Sequence, residues 1–140
     1  MKNKHYISFE SALSFYGVLE DVPYLTTIAA VMPKNSMGEN VYYQIPKKHC
    51  FGFKEITING NTCLMATPEK AFLDLLHRKR QEKERVDLSD FDLGELSKRE
   101  LDKLSERMGF DYKDELREYL KVKTNYPKGN LPPELTENEL

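Results

Sequence analysis

The stretch Ala66-Thr67-Pro68-Glu69-Lys70 constrains this chain more than any other, because it spells out where a helix must begin. The Thr67 hydroxyl can cap the first turn, Pro68 suits the first helical position, and Glu69 sets negative charge against the positive helix end. Ala71, Phe72, Leu75 and Leu76 then fall at i, i+1, i+4 and i+5, a broad apolar stripe that has to be buried. Just upstream, Asn59-Gly60 lies between a β-type run from Phe51 to Ile58 and a second run, Thr62-Cys63-Leu64-Met65. An Asn-Gly pair in that setting signals a tight hairpin. A hairpin leading directly into an amphipathic helix predicts a small sheet with this helix as the centre of its cover.

The remaining elements follow from the same rules. The segment from Ser8 to Gly17 reads as a helix, with Ser8 as cap, Glu10 in the first turn and Phe9, Ala12, Leu13 and Tyr16 at helical spacing. Gly17 is its stop, and Val18-Leu19 can fold back on the last turn. Pro23 marks a connector. From Thr26 to Met32 the residues are β-branched or small and show no helical stripe, as in a buried strand ended by Pro33. A loop around Gly38 leads to a strand from Val41 to Ile45, and Lys47-Lys48-His49 marks an exposed corner. Gly52, between Phe51 and Phe53, invites close approach of backbone or an aromatic ring, or a β-bulge.

After the central helix, expected to reach about Glu82, a linking segment from Asp87 to Gly94 offers Leu88, Phe91 and Leu93 to the core. Ser97-Lys98-Arg99-Glu100 matches a capping box and opens a helix that stops at Gly109. A last helix is expected from about Asp111, with Tyr112, Leu116, Tyr119 and Leu120 on its apolar face. The fold class is therefore α+β: a small, mostly antiparallel sheet packed by an N-terminal and a central helix, followed by two C-terminal helices. Residues 1–125 form one domain, and 126–140, with three prolines, are expected to be a disordered tail.

At 140 residues the chain is the size of one domain. No apolar run approaches the roughly 20 residues that span a bilayer, and the N-terminus lacks the apolar core of a signal peptide, so the expected location is cytoplasmic. Cys50 and Cys63 are the only thiols and are expected to be reduced and packed. A net charge of −2 lacks the overall positive field of most nucleic-acid binders.

Phosphate-cradling Gly-rich loops, a nucleophile elbow and metalloprotease His pairs are all missing from the sequence. His49, Cys50, Cys63 and His77 are spaced unlike zinc ligands, and neither a metal nor a cofactor is expected. His5 and His49 read as solvated loop residues. Of the carboxylates near the packed half, Glu10, Glu55, Glu69 and Asp74, only Glu69-Lys70 juxtaposes the residue types of a metal-dependent nuclease. That enzyme is the rival to a non-enzymatic reading. Tyr42 and Tyr43, flanked by Lys47 and Lys48, suggest a surface for nucleic acid or a partner protein. Arg78, Lys79 and Arg80, at the end of the central helix, either compensate its dipole or contact phosphates. A plain interaction module working through Tyr42 to Lys48 is the third reading.

Three blocks together, Tyr6 to Gly17, Phe51-Gly52-Phe53, and Ala66 to Asp74, resemble in order and spacing the C-terminal domain of AbiEi-like antitoxins from bacterial abortive-infection toxin–antitoxin systems. The resemblance implies a transcriptional autoregulator of a phage-defence system that counters a nucleotidyltransferase-like toxin without forming a stable complex with it. In that family a winged-helix domain normally precedes this one and binds the promoter. With the first block starting at Tyr6, no such domain is expected ahead of it, and sequence-specific DNA binding is not carried over.

Overall fold

A computed structural model describes residues 5–33, 38–84 and 86–113. The expected last helix beyond residue 113 and the expected tail at 126–140 lie outside the described residues. Five strands form one sheet: β1 (His5–Ile7), β2 (Thr26–Ala30), β3 (Asn40–Gln44), β4 (Phe53–Ile58) and β5 (Asn61–Ala66). Three helices accompany them: α1 (Phe9–Phe15), α2 (Pro68–Gln81) and α3 (Lys98–Met108).

The strand order is β3-β2-β1-β5-β4. β1 runs antiparallel to β2 and β4 antiparallel to β5, but β1–β5 and β2–β3 are parallel. The sheet is thus mixed. β1, the central strand, has no signal of its own in the sequence. Three residues with one buried side chain carry no period, and β1 exists because its neighbours supply ladder partners on both sides.

The local signals gave rise to what they spell. Asn59 and Gly60 both have positive φ, 51° and 83°, as a type I′ turn requires. The Thr67 side chain accepts from the Lys70 amide, with Pro68 at the first helical position. Ser97 caps α3, which closes at Gly109 in the left-handed region. Gly17, at φ 80°, ends α1, and the Val18 amide reaches back to the Leu13 carbonyl at 2.9 Å, satisfying carbonyls the helix leaves open.

α1 and α2 pack side by side on one face of the sheet, and α3 covers α2. Phe9, Leu13, Phe72, Leu73, Leu75 and Leu76 fill the space between them and are at most 1% exposed. Each such side chain contributes roughly 1.5–3 kcal/mol on burial. Leu88, Phe91 and Leu93 dock from the linking segment as expected. The opposite face of the sheet is a shallow groove lined by His5, Ile28 and Tyr42.

Candidate functional site

The pleat and the helical turn bring together beneath α2 a set of polar side chains that are far apart in sequence. Lys70 and Asp74 stand one turn apart on α2 and pair at 2.7 Å with their side chains fully buried. The Lys70 ammonium also donates to the Tyr6 hydroxyl and to the His49 carbonyl, both at 2.8 Å. Its three hydrogens therefore meet three acceptors. The second Asp74 oxygen accepts from Tyr6 at 2.8 Å and from Ser8 at 2.7 Å. Lys70 also lies over the Tyr6 and Phe51 rings, and Tyr6 stacks on Phe53 with centroids 4.7 Å apart.

Burial sets the electrostatics. It pushes the Lys70 pKa down, with Asp74 opposing the shift. Burial, and then the Asp74 charge, raise the Tyr6 phenol far above its ordinary range. An ammonium and a carboxylate in such a place are tolerable only because every bond is made. Serine, lysine and tyrosine, three residue types that can carry nucleophilic or acid–base chemistry, are consumed here in holding one another.

Several sequence expectations need correction at this point. Ser8 occupies the cap position of α1, but its hydroxyl bonds Asp74 and makes no cap bond. Glu69 lies in the first turn as expected, and it also accepts the Ser97 amide at 3.0 Å, tying the start of α2 to the start of α3. Gly52 has φ 80°, and what approaches it is neither backbone nor ring but the stem of Lys70; a Cβ there would lie 2.7 Å from Lys70 Cγ. His49 is no solvated loop residue. It is 2% exposed, its Nε2 lies 3.2 Å from the Met108 carbonyl and so donates, and Nδ1 is left without a partner among the described residues. Burial first, then the neighbouring His77 and Lys70, lower the His49 pKa to about 4.

The seven residues expected to form a binding surface do not share one. Successive strand residues face opposite ways. Tyr43 packs on the helix side, edge-on to Phe9 at 5.3 Å, whereas Tyr42 meets His5 on the outer face. Arg78 turns inward, bonds both Glu10 oxygens at 3.0 and 2.6 Å, and lies 4.3 Å from the centre of the Tyr43 ring. Burial opposes both charges of that pair, but the hydrogen bonds outweigh it: Glu10 is held below its usual pKa and Arg78 above. Lys79 pairs with Glu84. Lys47 and Lys48 remain exposed on their 3-10 turn (Lys47–His49), as does Arg80, set over the Phe110 ring. The same side holds Arg107, which the sequence did not single out, stacked 3.9 Å from the Phe51 centroid.

The carboxylates named for a nuclease are dispersed. Glu10 serves Arg78, Glu69 serves the Ser97 amide, Asp74 serves Lys70, and Glu55 sits on exposed β4. Among the described residues no group of three or more His, Cys, Asp or Glu could hold a metal ion, and no helix is long and apolar enough to cross a membrane. The pairing of Lys70 with Asp74 is masked in the sequence because Lys70 reads as part of the helix start beside Glu69. The available signal was that Asp74 interrupts an otherwise apolar run from Ala71 to Leu76 with a carboxylate one turn from a lysine. No family model matches the chain, and no curated protein does.

Proposed function

We propose that this chain is an AbiEi-like antitoxin domain, a non-enzymatic regulatory module of an abortive-infection system that counters a nucleotidyltransferase-like toxin in the cytoplasm. One observation carries the reading. The three blocks that bear the resemblance meet around a single ion pair: Tyr6 and Ser8 from the first, Phe51, Gly52 and Phe53 from the second, Lys70 and Asp74 from the third. Their joint occurrence therefore has one physical cause, the assembly of this buried network, and they count as one signature rather than three short coincidences. The test is to co-express the chain with the product of the gene beside it. Restored growth when that neighbour is toxic is the expected result, and a toxic neighbour that the chain does not neutralise would sink the proposal.

A second reading, a module that binds nucleic acid or a partner protein, is favoured by the side bearing Lys47, Lys48, Arg80 and Arg107. Two exposed guanidinium groups there are stacked on rings, Arg80 on Phe110 and Arg107 on Phe51, which restricts their orientation. Binding of a labelled DNA duplex that weakens with salt, and is lost in Lys48→Glu/Arg107→Glu, would support it. Binding unaffected by that double substitution would remove it.

A further inference from the structure

We propose that the loop 21–25, together with Phe15 at the end of α1, is a docking surface for a basic, apolar protein segment. Large apolar side chains are turned outward here: Tyr24 is 96% exposed, Val22 84%, Phe15 49% and Leu25 39%. Scattered singly they would mean little, but they are held together. The Ser11 hydroxyl donates to the Leu25 carbonyl at 3.2 Å and accepts the Thr27 amide at 2.8 Å, and Phe15 stands one turn beyond Ser11 on the same side of α1. At its other end the loop is clamped to the segment after α2: the Glu20 amide donates to the Asp90 carbonyl at 3.1 Å and the Asp92 amide to the Val18 carbonyl. Pro23 stiffens the span between. An exposed aromatic and a valine on a short arch pinned at both ends are presented in advance, so a partner would bear little ordering cost.

Charge decides which partner fits. From Ser8 to Pro33 the chain has Glu20 and Asp21, besides the Glu10 that Arg78 neutralises, and no basic residue; from Val86 to Ser97 it has Asp87, Asp90, Asp92 and Glu95 and again no basic residue. These two stretches are the ones joined through the Leu19–Phe91 bridge. Glu20, Asp21, Asp90 and Asp92 are all exposed beside the apolar arch. An apolar patch rimmed by one sign of charge selects a segment with apolar anchors and lysine or arginine around them, and rejects an acidic one. The inference does not depend on the antitoxin reading.

The experiment titrates the isotope-labelled full chain with a synthetic peptide of about 14 residues carrying leucine and lysine at helical spacing, following backbone amide shifts. Shifts centred on Phe15, Val22, Tyr24 and Leu25 are expected, with affinity reduced at least ~10-fold by Val22→Ser/Tyr24→Ser. Because both side chains are solvent-exposed, that variant should melt as the wild type does; Glu20→Lys/Asp21→Lys gives an independent second reading and should weaken binding to a similar degree. Undiminished binding by the variants, shifts centred elsewhere, or equal binding of control peptides with glutamate for lysine or serine for leucine would overturn the proposal. So would a concentration-dependent dimer in sedimentation that Val22→Ser/Tyr24→Ser abolishes, since the occupant would then be a second copy of the chain.

Discussion

Lys70 and Asp74 hold each other in a place where neither could stay alone. Lys70→Met leaves the Asp74 carboxylate buried with two hydroxyl donors but no counter-charge, and should cost about 3–5 kcal/mol in urea unfolding. Lys70→Met/Asp74→Asn removes both charges while keeping an acceptor for Ser8 and Tyr6, so the double variant should be more stable than the single one. If it is less stable, the pair does not act as a coupled unit. His49 makes a different prediction, one of pH. Its pKa is about 4 in the folded chain against an ordinary 6.5. Below 6.5 the unfolded chain takes up a proton that the folded chain refuses until pH nears 4. Stability should therefore fall as pH is lowered through that window, and the contribution levels off beneath it. The carboxylates titrate over part of the same range, so the comparison is with His49→Gln, whose stability should change less between pH 6.5 and 4, by on the order of 1–2 kcal/mol. Identical pH slopes would mean that His49 is not buried neutral.

At the scale of elements, two glycines separate backbone freedom from close packing. Gly17 and Gly52 share φ 80°, but a Cβ at Gly17 meets open space whereas one at Gly52 runs into the Lys70 stem. Gly17→Ala should cost about 1 kcal/mol, the strain of a left-handed alanine. Gly52→Ala should cost distinctly more, because Lys70 cannot move without loosening three hydrogen bonds. Equal losses of stability would show that the lysine stem yields freely. The same contrast explains what could be read beforehand. The Asn59-Gly60 turn, the Thr67-Pro68 start and the Ser97 to Gly109 helix are decided by residues within a few positions of one another, so the chain itself spells them. The parallel pairings and the network under α2 depend on residues such as Tyr6 and Asp74, 68 positions apart. Arg78 was legible as a helix-end cation, but its turn toward Glu10 depends on where α1 packs.

On the scale of the whole molecule, the shortest strand lies in the middle of the sheet. β1 supplies three residues, yet β3-β2 lies on one side of it and β5-β4 on the other. Without it those two ribbons share no ladder, and a two-stranded ribbon is at best marginally stable in water. β1 also carries Tyr6, so its loss would remove an acceptor from Lys70 and a donor from Asp74. The helices also link the ribbons, α1 packing on β2, α2 on β5 and the two on each other, but they do so around the network that Tyr6 and Ser8 complete, so losing β1 weakens that link as well. Deleting residues 1–7 should therefore abolish the cooperative thermal transition rather than lower its midpoint by a few degrees. Deleting only residues 1–4 leaves β1 in place and serves as the control. The melt is followed by far-ultraviolet circular dichroism, with amide exchange as a second probe. A shorter chain that still unfolds in one sharp step, with β2 and β5 amides protected together, would mean that the two ribbons are held by the helical layer and that β1 is not the joint between them.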